Sequence, residues 1–340
     1  MADTGITLAD VYAARRRIAG RVARTPLVPS PSLSERAGVP VHLKLEQRQI
    51  TGSFKLRGAT NALLALPEEV RTRGVAAAST GNHGRGLAHA AKAAGVRCVV
   101  CMSRLVPANK VEAIRALGAE VRIVGGSQDD AQAEVDRLVA EEGLATLPPF
   151  DHPDIIAGQG TLGPELVEDL PELATVLVPL SGGGLISGVA LAVKTAQPRA
   201  EVVGVSMARG AAMHASQAAG RPVPVEELPT LADSLGGGIG LDNRWTFGMV
   251  RDLVDEIVLL EEAEIAAAVR HAYWREQEVV EGSGAVGIGA LLAGKVRPRG
   301  PTAVVVSGRN IDMGLHHRLV SGEEVGPEDL TPPIPDDANA

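Results

Sequence analysis

The chain has 340 residues, of which 45% are hydrophobic, 22% charged and only 2% aromatic, so aliphatic side chains must fill the core of a globular protein. The formal net charge of −8 argues against nucleic acid as a partner. No apolar run is long enough to span a membrane and residues 1–10 lack a secretory signal, so we expect a cytoplasmic protein without a membrane partner.

The first sixty residues lead to a stretch that contains a lysine. The pattern predicts a helix over Leu8–Ile18, a strand over Val41–Leu45 and a further helix opening within Thr51–Ala59, with Ser53 as its N-cap. Lys55 would then lie in the first turn, where the helix dipole and partial burial favour a neutral amine that can form a Schiff base. An exposed lysine would show the same local pattern, so this interpretation depends on motifs elsewhere.

Strands and helices alternate from residue 75 to residue 142, and again after the Pro148-Pro149 pair. Such alternation predicts an α/β protein with parallel sheets wrapped by helices, and two successive blocks predict two domains with a ligand cleft between them. Cys98 and Cys101 fall in one buried strand and should point to opposite faces, which disfavours a redox pair. The predicted strands are Val75–Ser79, Arg97–Met102, Glu120–Val124, Thr175–Pro179, Glu201–Ser206, Glu256–Leu260 and Thr302–Ser307.

We predict that residues 1–50 and 151–322 form a large domain that binds a cofactor and that residues 51–150 form a small substrate-binding domain. Residues 323–340 are rich in proline, aspartate and glutamate, which is typical of a loose acidic tail.

Two glycine-containing loops link a predicted strand to a predicted helix. Ser181–Leu185 reads SGGGL, and its backbone N–H groups, together with the following helix N-terminus, would suit a phosphate; a tight packing turn would have the same composition. The loop is neither a P-loop nor a dinucleotide fingerprint. The second loop, Thr80–Gly84, offers backbone, Asn and His donors suited to a carboxylate, although a capped turn would also explain Asn82. Ser307, at the end of the last strand, could bond an uncharged ring nitrogen or simply cap the strand.

Four segments together resemble the pyridoxal-phosphate enzymes of the threonine dehydratase and tryptophan-synthase-β family, in the same order along the chain. The resemblance covers about Thr25 to Asn310 and implies fold type II, with two open, twisted, parallel-rich sheets and pyridoxal 5′-phosphate in the interdomain cleft. The chain is most similar to the serine/threonine dehydratases, and residues 231–244 resemble the hydroxyectoine-utilisation subgroup. The segments are Ser53–Ala59, Ser79–His83, Ser181–Leu185 and Ser307–Asn310, with Asp154–Thr161 as a further match.

The resemblance implies a role for each matching residue. Lys55 would bind the cofactor covalently and act as the base, and Thr80 would be a second catalytic group on the far face of the substrate. The implied cofactor-binding residues are Phe54, Lys55, Asn82, Ser181, Gly182, Gly183, Gly184, Leu185, Glu281 and Ser307. The predicted substrate-binding residues are Ser79, Thr80, Gly81, Asn82, His83, Gly238 and Arg309.

The implied reaction is α,β-elimination from a β-hydroxy amino acid, which gives a 2-oxo acid and ammonia. The substrate could be threonine, serine, 3-hydroxyaspartate or a diaminobutyrate derived from hydroxyectoine. Racemisation, β-replacement and a non-enzymatic small-molecule or phosphate-binding role remain alternatives. The family also implies a homodimer or homotetramer. Some relatives bind a divalent cation, but Gly204–Ala212 contains no carboxylate at the matching place, so we expect no metal.

Overall fold

The computed structural model describes residues 5–79, 81–104, 106 and 108–330, which form two β-sheets covered by helices. The larger sheet has six strands in the order β1-β2-β10-β7-β8-β9, all parallel to their neighbours except β1, which pairs antiparallel with β2. Its strands are β1 Leu27–Pro29, β2 Val41–Leu45, β7 Thr175–Pro179, β8 Glu201–Met207, β9 Glu256–Leu260 and β10 Thr302–Val306.

The smaller sheet has four parallel strands in the order β5-β4-β3-β6. They are β3 Val75–Ala78, β4 Cys98–Met102, β5 Glu120–Ile123 and β6 Ala145–Thr146. Since helices connect the parallel strands, the predicted α/β class with two parallel-rich sheets is confirmed. The six strands of the larger sheet lie within residues 1–50 and 151–322, and the four strands of the smaller sheet lie within residues 51–150, but the domain boundaries themselves stay a prediction.

Fifteen α-helices lie within the described ranges. They are α1 Leu8–Ile18, α2 Pro31–Ala37, α3 Lys55–Ala65, α4 Glu68–Arg71, α5 Asn82–Ala94, α6 Ala108–Ala116, α7 Gln128–Glu142, α8 Pro153–Gly160, α9 Leu162–Asp169, α10 Gly184–Ala196, α11 Ala212–Ala219, α12 Thr246–Leu253, α13 Glu262–Glu276, α14 Gly282–Leu292 and α15 Met313–Ser321. Short 3-10 helices occupy Glu46–Arg48, Asp233–Leu235 and Pro327–Leu330. Within these ranges we find no helix with both the length and the apolar character needed to cross a bilayer.

Local sequence signals account for several of these helix boundaries. Helix α1 has the predicted bounds, and Ser127 and Asp130 form the capping box that opens α7. Gly95 ends α5 in the left-handed conformation, where its N–H bonds the carbonyls of the last turn.

Each sheet is covered by apolar side chains on both faces. Alternate residues of β4 belong to different clusters: Cys98 packs with Leu87 and Ile114, whereas Cys101 packs with Val135 and Leu138. Both thiols are free and buried, and burial raises their pKa values, to about 12 for Cys98 and about 11 for Cys101. The prediction that they point to opposite faces is therefore confirmed.

One local prediction differs from the structure, and another falls only partly on the described residues. Phe54, and not Ser53, precedes α3 as its N-cap; the backbone of Ser53 forms an antiparallel bridge with Gly308, and its buried hydroxyl bonds no described residue. Residues 323–330 include a 3-10 helix, and Asp329 of this helix pairs with Arg318 at 3.3 Å. Residues 331–340 lie outside the described residues, so the loose tail stays a prediction.

Helix α8 lies in close backbone contact with two helices that lead to the site. A Cβ placed on Gly158 of α8 would lie 2.7 Å from the Cα of Gly58 on α3. A Cβ placed on Gly188 of α10 would lie 2.7 Å from the Cα of Gly160, at the other end of α8. The helices can approach this closely because glycine has no side chain at these crossings. Helix α8 therefore joins α3 and α10 through main-chain contacts.

Candidate active site

A cavity of about 430 Å³ is lined by the start of α3, the loop before α5, the loop before α10, the start of α14 and the end of β10. Most of the predicted site residues line it: Phe54, Lys55, Ser79, Gly81, Asn82, His83, Ser181, Gly182, Gly183, Gly184, Leu185, Glu281 and Ser307. Thr80 lies outside the described residues. Gly238 and Arg309 are exposed and do not line the cavity; the backbone of Arg309 is held by Gly52, whose carbonyl accepts its N–H at 2.9 Å.

Lys55 begins α3, and its half-buried side chain lines the cavity. Its Nζ donates to the carbonyl oxygen of Pro149 at 2.8 Å and lies 5.3 Å from the centre of the Phe54 ring. Burial lowers the pKa of Lys55 to about 8, because desolvation disfavours the charged form. A pKa of about 8 leaves a minor fraction of the amine neutral at neutral pH, and this neutral form is the one that a nucleophile or a base requires.

The loop before α10 forms a cradle of backbone N–H groups. Gly183 is the N-cap of this 13-residue helix, has a φ of 89° and makes no side-chain cap. Among the described residues, no acceptor is found for the backbone N–H groups of residues 182–185. A Cβ on Gly182 would lie 2.4 Å from the Phe150 ring. The loop therefore presents free donors and a helix N-terminus, which together suit an anion of phosphate size.

Two serine hydroxyls lie at another wall of the cavity. The Oγ of Ser307 donates to the carbonyl of Ser283, but only at 3.5 Å, the limit of a hydrogen bond. The Oγ of Ser283 is buried and has no partner among the described residues. Both residues line the cavity, so uncharged hydroxyls are available there to a ligand atom.

Glu281 is a buried carboxylate beside this wall. Its Oε1 accepts from Asn82 Nδ2 at 2.7 Å, and its Oε2 accepts from the backbone N–H of Asn310 at 2.7 Å. Burial and, to a smaller extent, the charge of Asp233 raise the pKa of Glu281 to about 7, against the opposing hydrogen bonds from Asn82 and Asn310. The group can therefore change protonation state near neutral pH.

His83 is held in one tautomer. Its Nε2 lies 2.7 Å from the carbonyl of Leu147, which can only accept, so Nε2 carries the proton. Burial and the nearby charge of Lys55 lower the pKa of His83 to about 4, so the ring is neutral. Its Nδ1 is then an acceptor, without a partner among the described residues. The predicted donation from this imidazole to a carboxylate does not fit the neutral ring, and the backbone N–H groups opening α5 are better donors.

A buried ion network holds α3 in place behind the lysine. The guanidinium of Arg57 donates to a carboxylate oxygen of Glu46 and to one of Glu165, each at 2.7 Å. The Nζ of Lys44 donates to the other carboxylate oxygen of Glu165, also at 2.7 Å. Arg57 and Lys44 are 1% and 0% exposed, respectively, and Glu165 is 6% exposed. Burial opposes the charge of Arg57, but the two glutamates outweigh it and raise its pKa. The network anchors the first turn of α3 to β2 and α9.

A second chamber of about 730 Å³ adjoins the cavity, and the two share wall residues. Asp233 lies 3.7 Å from Lys110 across the shared wall, and Asp329 pairs with Arg318. Glu227, also in this wall, has no hydrogen-bond or ion-pair partner among the described residues. The shared residues are Lys110, Glu227, Asp233, Gly236 and Glu281.

Sequence reasoning missed several residues that contact the site. Pro149 was read only as part of the break between two blocks, and Phe150 was not considered. The carbonyl of Pro149 accepts from the lysine, and the ring of Phe150 covers the glycine loop. Asn310 was noted only as the end of a motif. Glu227 and Lys110 are common surface residue types, and no local signal distinguishes them. Only the four-residue motif around Asn310 could have indicated one of these contacts.

Comparison with known proteins gives consistent matches over most of the chain. Residues 18–308 match the family model described as pyridoxal-phosphate dependent enzyme. A Sinorhizobium fredii protein, provisionally named a threonine dehydratase, is 62% identical over 320 residues, 94% of this chain and 96% of that protein. An L-threonine ammonia-lyase of Thermotoga maritima is 43% identical over 317 residues, 93% of this chain and 78% of that protein. The structure of maize serine racemase matches with a TM-score of 0.88 at 34% identity, covering 92% and 96% of the two chains.

Proposed function

The chain belongs to the pyridoxal-phosphate-dependent enzymes, in the branch of the serine and threonine dehydratases, and from this membership we propose that it is a β-hydroxy amino acid ammonia-lyase. The substrate is a threonine-like amino acid that loses its β-hydroxyl and α-proton. Hydrolysis of the resulting enamine releases a 2-oxo acid and ammonia.

The observation that carries this proposal is that Lys55 and the glycine cradle line one cavity. The residues fit pyridoxal phosphate: the amine of Lys55 suits its aldehyde, and the free N–H groups of Gly182–Leu185 suit its phosphate. The hydroxyl of Ser307 suits the ring nitrogen, and Phe54 offers an apolar surface for the ring. Each of these assignments is a proposal supported by the lining of the cavity.

Bound pyridoxal phosphate supplies an electron sink for the negative charge that develops at the substrate α-carbon. Lys55 takes the α-proton on Nζ, because its lowered pKa makes the neutral amine available. The carbonyl of Pro149 accepts one N–H of this amine and so orients its lone pair. Ser307 would offer a hydroxyl and not a carboxylate to the ring nitrogen, so the ring would stay unprotonated and would be a weaker electron sink.

The start of α5 is the proposed binding site for the substrate carboxylate. Its N-cap, Gly81, makes no side-chain cap, so the helix N-terminus keeps its positive field toward the cavity. Ser79 accepts the N–H of Gly84 at 3.1 Å, which fixes the loop. Donation from the backbone of Asn82 and His83 completes this proposed site, and a role for Thr80 stays a prediction.

A hydroxylated diaminobutyrate derived from hydroxyectoine is a second candidate substrate. The second chamber gives room for a side chain longer than that of threonine. Glu227, without an ion-pair partner among the described residues, would attract a cationic γ-amino group at the shared wall. We therefore propose that a longer substrate would extend past Asp233 toward Glu227.

The central experiment measures absorbance and 2-oxo acid release together. The purified protein should be yellow, should lose its visible band after borohydride treatment and should release a 2-oxo acid from at least one of threonine, serine, 3-hydroxyaspartate and 3-hydroxy-2,4-diaminobutyrate. Lys55→Ala should abolish the borohydride-trapped adduct, whereas the exposed Lys92→Ala should not. A colourless protein that binds no pyridoxal phosphate would refute the proposal.

The choice of substrate needs its own matched variants. If the cationic substrate is the true one, Glu227→Gln should raise its KM and leave the KM for threonine unchanged. The adjacent Glu226→Gln, outside both chambers, is the control. Equal effects on both substrates would leave threonine or serine as the better assignment.

Racemisation and β-replacement, the two alternative reactions, would give products other than a 2-oxo acid. Chiral analysis of unreacted serine during turnover separates racemisation from elimination, and added thiols would reveal β-replacement. We expect 2-oxo acid as the main product. A homodimer or homotetramer and a cytoplasmic location are also proposals; light scattering and cell fractionation test them.

A further inference from the structure

Three side chains form a hydrogen-bonded partition between the cavity and the second chamber. Asn82 lines the cavity, Asn310 lines the second chamber and Glu281 lines both. The side chain of Asn82 donates to Glu281. Asn310 donates its side-chain NH2 group to Asn82 and its backbone N–H to Glu281. Asn310 is the one member of this Asn82–Glu281–Asn310 partition to which no role has been assigned.

The orientation of each amide follows from its neighbours. Asn310 Nδ2 lies 3.0 Å from the carbonyl oxygen of Thr51, which can only accept, so this end of Asn310 must be the NH2 group. The same Nδ2 lies 2.5 Å from Asn82 Oδ1. Asn82 therefore presents its oxygen to Asn310 and turns its own NH2 group toward Glu281, 2.7 Å away.

Asn310 can occupy this place because of the glycine beside it. Gly52 has a φ of 79°, and a Cβ there would lie 2.6 Å from Asn310 Oδ1. The backbone N–H of Asn310 also donates to Glu281 Oε2 at 2.7 Å. Asn310 thus contacts both Asn82 and Glu281, while its side chain is tied to the segment that precedes Lys55.

We propose that Asn310 is a positioning residue for Asn82, whose NH2 group it keeps beside Glu281 in the cavity wall, where one N–H would reach the cofactor's ring hydroxyl oxygen. This inference rests on the proposed function and on the role as a cofactor-binding residue that the family resemblance implies for Asn82. Without Asn310 the Asn82 amide keeps its bond to Glu281 and a long 3.5 Å contact to Ser234 Oγ but loses the donor that faces its Oδ1, so it turns over more readily. A turned amide would direct a lone pair toward an oxygen that is itself an acceptor, and binding would weaken.

The test is a double-mutant cycle on cofactor binding. Asn310→Ala should weaken pyridoxal phosphate binding by about tenfold, the usual worth of one well-placed hydrogen bond. It should also shift the pH profile of the visible band, which loss of stability alone would not do. In an Asn82→Ala background, Asn310→Ala should cause no further change in either quantity, because it acts through Asn82.

Asn243→Ala is the matched control, since Asn243 also donates to a backbone carbonyl, that of Ile239, but lies outside the cavity wall. It should change stability and not the pH profile. Equal effects of Asn310→Ala in the presence and absence of Asn82, or an unchanged pH profile, would overturn the inference. A wild-type protein without any visible band would overturn the proposed function as well, so the two failures are distinct.

Discussion

Replacing Arg57 by methionine tests whether the buried ion network supports the fold behind Lys55. Methionine fills part of the space of the arginine stem but removes every N–H donor. In the wild type, Glu46 and Glu165 each accept two N–H bonds from the guanidinium. In the variant both carboxylates stay buried but lose these bonds. The variant therefore leaves two carboxylates facing a site that has lost its cation.

The expected cost follows from the partners that remain. Removing one member of a buried ion pair costs about 3–5 kcal/mol, because a charge is left unpaired in a weakly polar interior. Lys44 would still donate to Glu165, and the hydroxyl of Thr25 to Glu46. We therefore expect the free energy of unfolding to fall by about 3 kcal/mol, near the lower end of that range. Replacement of Arg137, which pairs with Glu134 and Glu141 on the surface, should lower the free energy of unfolding far less, because water screens such pairs.

The assay is urea unfolding of the cofactor-free protein, with Arg57→Met compared with wild type and Arg137→Met. Arg57→Met combined with Glu46→Gln should recover part of the loss, since one unpaired charge is removed. The loss should also shrink in acid. Arg57 and Lys44 outweigh burial and lower the pKa of Glu165 in the folded protein, so the stability they contribute is present above the unfolded pKa and disappears as pH falls. Equal unfolding midpoints for Arg57→Met and Arg137→Met would refute the reasoning.

Three further predictions concern the cavity. The rate at which pyridoxal phosphate reconstitutes the cofactor-free protein should rise as pH increases through about 8, because only neutral Lys55 attacks the aldehyde; a flat profile would contradict this. Glu281 has its pKa raised to about 7 from 4.5, so the folded protein holds a proton that the unfolded chain has released, and stability falls as pH rises across that window. In urea titrations, Glu281→Gln should reduce the fall in the free energy of unfolding across this pH window by about 3 kcal/mol. An unchanged pH dependence of that free energy would argue against the prediction. Gly183→Ala should weaken cofactor binding more than tenfold by calorimetry. Gly220→Ala, also left-handed but in open space, should lower stability without changing affinity.

Local patterns predicted the elements that a single stretch of sequence specifies. Strands β2, β7 and β9 have the predicted bounds, because short apolar runs between turn residues define them. Helix α14 was missed because glycine lowers helix propensity, and here tertiary packing overrides it: a Cβ on Gly284 would lie 2.5 Å from the carbonyl oxygen of Gly308.

The candidate site was predicted in part for a similar reason. The lysine stretch and the glycine loops carry their chemistry in consecutive residues, so the sequence alone indicated them. The tautomer of His83 depends on Leu147, and the orientation of Asn82 depends on Asn310. Contacts between residues so far apart in the chain leave no local pattern, and only the three-dimensional structure provides them.

The close crossing of α8 with α3 and α10 has a consequence for redesign. Main-chain contacts between glycines at two helix crossings set the distance between Lys55 and the glycine loop before α10. Aliphatic side chains, which could be exchanged for one another, do not set it. Repacking of neighbouring apolar positions would therefore leave that distance almost unaltered. The loop that bears Glu227 and Asp233 lies outside these three helices. The proposed substrate path toward Glu227 can therefore be redesigned there while the spacing between Lys55 and the glycine loop is preserved.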